Sequence, residues 1–403
     1  MNSDTRPLPQ FAHAPLLLLI IAFLMMQPLS TDLYLASLPT LSSDFKVPLS
    51  TVQLTLSLFV IGFGSAQLVI GPLSDRYGRR PVLLWGLALY AVGSVLCGLA
   101  PSIELLILAR FLQAVGCCSA VMIARAIVRD AYDPVHSVKV IARASTWLSL
   151  APLLAPILGS YLQVAFGWRA AFAVHTLLSV SLLLLTFLRL PETNLHKNPG
   201  ATNFAGLSHS FRLVLGSREF WAYALPGALS YGSIFAFISG ASIVLIQVLH
   251  VPTAYFGYCF AIGVSGYLSG TLVCRRLLSR LGATATFRIG SAISLGAGTL
   301  FLAAVLAGFA HWSVMVAAMF LTLSAHGINF PIGQSGAVSP FPRQAGTAAG
   351  LMGALSMLVA FIVGSIVGAT HNGTLYPLGL VVCALGLSIF AATRLLAPAE
   401  AAA

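Results

Sequence analysis

The run Gly71-Pro-Leu-Ser-Asp75-Arg76-Tyr-Gly78-Arg79-Arg80-Pro81 decides the class of this chain. It holds one acid, three arginines and two glycines, and it sits between two long apolar stretches. Only 8% of the 403 residues are charged, 58% are hydrophobic, and the mean hydropathy is +0.93. A soluble domain carries roughly a quarter charged residues. So few charges cannot cover a fold of this size in water, whereas lipid can cover an integral membrane protein. The knot at 71–81 therefore belongs in water at a membrane face. The apolar runs repeat at about 20 residues, which fits helices; barrel strands would alternate over roughly ten.

The net charge of +11 does not single out a nucleic-acid binder, because basic residues gather in the cytoplasmic loops of membrane proteins. Six cysteines, Cys97, Cys117, Cys118, Cys259, Cys274 and Cys383, lie in or beside apolar runs without ligand spacing. They read as small core residues, not as disulfides or a metal site. The first apolar stretch, from Ala14 to Leu38, is longer than a typical signal core and contains Pro28 and Asp32. It is expected to be a retained first span.

Apolar runs with Gly, Pro or charged breaks give twelve spans, near 15–38, 51–71, 81–100, 103–126, 140–165, 168–190, 220–248, 253–274, 285–309, 312–335, 344–369 and 374–396. The longest polar stretch, about 191–218, separates six spans from six, with a short surface helix expected near Phe211. With both termini cytoplasmic, 18 of the 21 basic residues fall on the inside. They include Arg6, Arg76, Arg79, Arg80, Lys139, Arg275 and Arg343; Lys46 and Arg169 fall outside, and Arg110 lies within a span. The segment Gly270-Thr-Leu-Val-Cys-Arg-Arg-Leu-Leu-Ser-Arg280-Leu-Gly282 occupies in the second half the place of 71–81 in the first, without an acid.

Ten acids are present: Asp4, Asp32, Asp44, Asp75, Glu104, Asp130, Asp133, Glu192, Glu219 and Glu400. Asp32 alone falls well inside a span. A carboxylate there costs roughly 2.5–3.5 kcal/mol on insertion scales, so it needs water, a partner or a proton. A carboxyl that loads and releases a proton can couple transport to a proton gradient; an acid near a helix end, facing water, is the simpler alternative. Arg110, about seven residues into the fourth span, stays charged when buried and must be paired. It and Asp32 share the outer half of their spans, so they are expected to meet directly or through water. Gln113, one turn along, shares the Arg110 face.

The fifth span carries Pro152 and Pro156, whose missing donors kink a helix, and Ala155, Gly159 and Ser160, which let a neighbour approach closely. A bent helix between the halves is expected. In the knot, Asp75 can accept from helix-end amides or pair with arginine, and Gly71 and Gly78 permit close approach. With Arg76 and Arg79 they are expected to latch the halves on the cytoplasmic side in the outward-open state. Tyr34, Tyr231, Phe235 and Asn329 are cavity candidates, with His326 and Gln334 nearby; packing is the commoner role for each.

The knot resembles the first conserved loop motif of the major facilitator superfamily. Leu108-Ala-Arg110-Phe-Leu-Gln113-Ala-Val-Gly116 resembles the fourth-helix motif of its proton-driven members. Ala155-Pro156 with Gly159 resembles the antiporter motif of the fifth helix, with Ala155 in place of its first glycine and Ser160 in place of its last. Ser30-Thr-Asp32-Leu-Tyr34-Leu-Ala-Ser-Leu-Pro39 and Ser339-Pro-Phe-Pro-Arg343-Gln-Ala-Gly346-Thr-Ala resemble the Bcr/CflA subfamily of drug:proton antiporters. The resemblance implies an all-α integral membrane fold, twelve transmembrane helices in two six-helix halves around a central cavity. The halves would be 1–190 and 219–403, joined by a cytoplasmic linker at 191–218. It implies a monomer in the bacterial inner membrane that exports small drugs such as chloramphenicol, bicyclomycin or sulfonamides against protons, with no cofactor beyond the gradient and no nucleic-acid partner. Asp32 and Arg110 would then be functional. A metabolite exporter (amino acid or sugar), a facilitator without proton coupling and a non-transporting receptor remain alternatives; an enzyme would need a cluster of buried catalytic groups, and only Asp32 and Arg110 qualify.

Overall fold

The computed structural model describes residues 13–132, 136, 140, 143, 144, 147, 148 and 150–396. Arg6, Lys139, Asp4, Asp133, Glu400 and part of the opening of the fifth span (141, 142, 145, 146 and 149) lie outside the described residues. Among the described residues the chain is helical, with no strand. The first half contains α1 (His13–Asp32), α2 (Leu38–Phe45), α3 (Leu49–Tyr77), α4 (Arg79–Gly98), α5 (Ile103–Ala131), α6 (Ala151–Phe166) and α7 (Arg169–Arg189). Then follow α8 (Phe204–Leu215), α9 (Arg218–Ser242), α10 (Thr253–Leu306), α11 (Trp312–Val338), α12 (Ala345–Thr370) and α13 (Tyr376–Leu395). The expected surface helix near Phe211 is α8.

Ten of the described helices are long and apolar enough to cross a membrane, and α6 is a shorter apolar helix. The twelfth span is hidden in α10. Its 54 residues would reach about 80 Å if straight, against a hydrocarbon core of about 30 Å. The chain doubles back at Gly282, whose φ of 75° and ψ of 176° suit only glycine. Gly78 turns the chain between α3 and α4 in a similar conformation, φ 106° and ψ 158°. The two polar knots that echo each other in sequence thus make the same one-residue turn, and each is otherwise helical rather than a loop. Leu18, Leu177, Leu188 and Leu300 point outward as part of an apolar coat fit for lipid.

The most extensive contacts between the first six spans and the last six fall into two pairs. α3 lies along α12, and α6 lies along α10. These are the second and fifth spans of each half, which is what a two-fold relation between halves requires. At the end of the bundle where α1 stops and α3 starts, hydrogen bonds join the halves. Gln53 Nε2 donates to the Ser239 carbonyl at 2.9 Å, the Gly257 amide donates to Ser160 Oγ at 3.0 Å, and the Tyr161 and Tyr258 hydroxyls meet at 2.8 Å.

The connection between halves divides its contacts. The Asn198 amide donates to the Asp75 carbonyl at 3.0 Å, Asn194 Nδ2 to the same carbonyl at 3.2 Å, and Arg76 Nη1 to Thr202 Oγ1 at 2.5 Å. These hold 194–202 on the end of α3. Past Asn203, whose side chain accepts from the Ala205 amide and so starts α8, the chain changes sides. Val214 is fully buried with Phe220, Ala224, Ala337, Phe341 and Met352 of the second half.

Candidate functional site

α1 ends at Asp32, where Pro28 has already removed one backbone bond and Tyr34 leaves helical geometry (φ −106°, ψ 2°). The carboxyl is 4% exposed, and Thr31 Oγ1 donates to its Oδ1 at 2.7 Å. Two backbones fix this place. A Cβ on Gly159 would lie 2.7 Å from the Leu33 carbonyl carbon and nearer still to its oxygen, so α6 is seated directly on the residue after Asp32. On its other side α6 meets α10 through Ser160 and Gly257. Pro152 stands in the first turn of α6, where its missing donor costs no bond, and Pro156 lies inside the helix. The small residues of the fifth span therefore wedge a helix between Asp32 and the second half.

Arg110 is fully buried in a box of rings, with its guanidinium carbon 4.3 Å from the Phe59 ring centre, 4.6 Å from Tyr34 and 5.9 Å from Phe172. Nη1 donates to Gln113 Oε1 at 2.6 Å and Nε to the Thr55 carbonyl at 3.4 Å; Nη2 has no partner. The expected direct contact with Asp32 is not made: the ion pairs among the described residues join Arg79 to Asp75 and to Asp130. Three ring faces substitute for a carboxylate, each worth about 0.5–2 kcal/mol to a cation.

Two separate sets of hydrogen bonds meet α4 at Tyr90, one from the Arg110 side at its backbone carbonyl and one from Ser30 at its hydroxyl. Gln113 Nε2 donates to Ser94 Oγ at 2.7 Å, and Ser94 Oγ donates to the Tyr90 carbonyl at 2.7 Å. The Tyr90 hydroxyl meets Ser30 Oγ at 2.6 Å, two residues before Asp32. On the other side Tyr34 shares a short hydrogen bond with Thr55. Ser30, Thr55, Tyr90 and Ser94 were not singled out in the sequence, because hydroxyls in apolar spans usually bond their own helix.

Of the cavity candidates, Tyr231 stands where the halves meet, accepting from Gln27 Nε2 of α1 at 3.2 Å. Tyr34 is buried beneath Arg110. Phe235 is packed against the Gly364 position of α12, and Asn329 is fully buried with Nδ2 on Ser294 Oγ at 3.0 Å. These three fill helix contacts in this conformation rather than line an opening.

The 71–81 knot is a network on the first half. Arg79 donates to Asp75 at 2.5 Å, to Asp130 of α5 at 2.8 Å and to Ser74 at 2.7 Å. The Glu192 carboxylate accepts from the Arg79 and Arg80 amides at 2.8 and 3.3 Å, which caps α4 immediately after the turn. A side chain on Gly78 would collide with Glu192; Gly71 has open space around it. Among the described residues the knot bonds to α5, α7 and the connecting segment, and its expected reach across to the second half is not made in this conformation.

The family model described as Major Facilitator Superfamily matches residues 18–365. The chain belongs to the major facilitator superfamily. It is a multi-pass membrane transporter of a family that is not enzymatic. The relatives agree with the Bcr/CflA resemblance. A bicyclomycin resistance protein homolog of Haemophilus influenzae is 28% identical over 354 residues, 88% of this chain and 89% of its own. A chloramphenicol resistance protein of Pseudomonas aeruginosa is 30% identical over 389 residues, 94% of this chain and 91% of its own. The multidrug resistance protein MdtL of Escherichia coli O157:H7 is 28% identical over 348 residues, 82% and 83% of the two chains. Among solved structures, the nucleoside transporter NupG superposes with a TM-score of 0.73 at 16% identity, covering 95% of this chain and 100% of its own. The xylose transporter XylE from E. coli gives 0.70 at 16%, covering 95% and 97%. At such identities these two speak for the fold alone.

Proposed function

We propose that this protein exports small drugs across the bacterial inner membrane in exchange for protons, as a monomer with both termini in the cytoplasm. The carrying observation is Asp32, a buried carboxyl inside a span whose one side-chain partner is a neighbouring threonine. With no cation against it among the described residues, the site can hold a proton when sealed and release it when opened to water. α6 rests on Leu33 and on Gly257 at once, so closing and opening the halves acts on the backbone beside Asp32. Arg110 and Gln113 tie α5 to Ser94 of α4, and the Tyr90 hydroxyl of the same helix holds Ser30 of α1. The relatives named for resistance to bicyclomycin and chloramphenicol support a drug as cargo. The basic residues near 71–81 and 275–288 support a cytoplasmic face at that end, so the end closed here is the outer one.

Efflux of a drug panel from sensitive cells, with and without a protonophore, tests this for wild type and Asp32→Asn. Wild type is expected to export with the gradient intact, and the variant to lose that dependence along with net export. Full gradient-driven efflux by Asp32→Asn would remove Asp32 from coupling; a wild type that moves none of the panel would overturn drug export.

A further inference from the structure

Resting on that reading, we infer that the second half holds a ring-binding subsite, formed by Tyr231, Tyr267, His326 and Phe330, that takes the uncharged aromatic ring of the exported molecule. These side chains come from α9, α10 and α11 and form one contiguous set. His326 and Phe330 stack with centres 4.9 Å apart and planes 25° apart. Tyr231 lies 5.8 Å from Phe330 and 6.1 Å from His326, and Tyr267 lies 5.7 Å from His326. His326 is 3% exposed and pinned by a hydrogen bond of 3.0 Å between its Nδ1 and Ser230 Oγ. The three surrounding rings are half-buried, so they keep open faces beside a fixed imidazole.

The position of the set makes it a cargo site rather than ordinary packing. Tyr231 is bonded to Gln27 of the first half, five residues before Asp32. The set therefore lies at the junction of the halves. When the halves part, the Gln27–Tyr231 bond opens and frees the Tyr231 ring and hydroxyl together. The set carries two hydroxyls and an imidazole but no formal charge, so it recognises a flat ring with a hydrogen-bonding substituent and does not select a charge. Arg110 is sealed off in its own box and does not compete for cargo. Proton and cargo are thus held on different halves, Asp32 on the first and the ring on the second.

Two antibiotics separate this from general damage. Chloramphenicol carries a nitrophenyl ring, and bicyclomycin has no aromatic ring. Equilibrium binding of each to purified protein, measured beside export from cells, is compared for wild type, Phe330→Leu, His326→Leu and Tyr231→Phe. The two leucine variants are expected to weaken chloramphenicol about tenfold, the loss of one stacked contact and its burial, and bicyclomycin less than about twofold. Tyr231→Phe keeps its ring and is expected to stay within about threefold of wild type for chloramphenicol. Tyr267→Leu, at the edge of the set, serves where a buried variant does not fold and is expected to show the same preference. Equal losses for both compounds, or no loss for chloramphenicol, overturn the subsite. A wild type that binds bicyclomycin but not chloramphenicol also overturns it while leaving drug export standing. A wild type that binds chloramphenicol in this ring-dependent way but exports nothing overturns the export reading and upholds the subsite.

Discussion

The contact between α6 and α10 gives the sharpest prediction, because backbone meets backbone across the two halves. A Cβ built on Gly257 would stand 2.5 Å from the Pro156 carbonyl oxygen and 2.6 Å from the Ile157 amide nitrogen, where ordinary contact begins at 3.4 Å. Gly257→Ala therefore drives the helices apart by about 0.9 Å at a point where no side chain can swing away. The same shift stretches the bond from the Gly257 amide to Ser160, now 3.0 Å. Overpacking of this kind costs about 2 kcal/mol, and the weakened bond brings the total to roughly 3 kcal/mol. The contact joins the halves, so the cost falls on the conformation closed at this end. At 1.36 kcal/mol per tenfold, the closed population should fall by roughly 30- to 150-fold against the opposite one. Spin labels on Lys46→Cys and Asn372→Cys, both exposed at the closing end, report the separation directly. The distance distribution is expected to move outward in Gly257→Ala, and drug efflux to drop at least tenfold. Wild-type distances together with wild-type efflux would refute the reasoning.

Two further perturbations probe the polar parts. Arg110→Lys keeps the charge but loses the planar fork that reaches both Gln113 and Thr55 and much of the contact with three rings; efflux should fall more than about tenfold while the protein still inserts. Normal efflux with lysine would make the charge alone sufficient. Glu192→Ala uncaps the Arg79 and Arg80 amides, costs about 1 kcal/mol and loosens the segment held on α3; limited proteolysis at 193–203 should then run several-fold faster, and unchanged cleavage would assign the hold to Asn194 and Asn198.

The twelve spans were legible because each must be a long apolar run, and the turns at Gly78 and Gly282 were legible as polar knots with a glycine. Which way each span faces was not. A soluble helix shows its buried side by its apolar stripe, but a span is apolar on its lipid side too, so the stripe vanishes. That is why Asp32 and Arg110, matched in depth, were expected to meet directly or through water and make no direct contact. Depth follows from counting residues; rotation about the helix axis does not. Phe235 and Asn329, named as cavity candidates, are packed between helices in this conformation for the same reason. The contacts of Ser30 with Tyr90 and of Ser94 with Gln113 were invisible because a serine in a span reads locally as bonding its own helix, and both serines do that as well. The Gly159 contact was readable in kind, a small residue for a close approach, but not in partner.

The way the connecting segment is shared out bears on how the molecule can be taken apart. Residues up to Asn203 are fastened to the first six spans, and α8 is embedded in the last six. No slack tether lies between them; the passage from one body to the other is a single peptide junction at 203–204. The transporter is jointed there as a door is on its post. The natural place to divide it into two separately expressed fragments is that junction, not the middle of the polar stretch, with each fragment keeping the part of the connection it already holds.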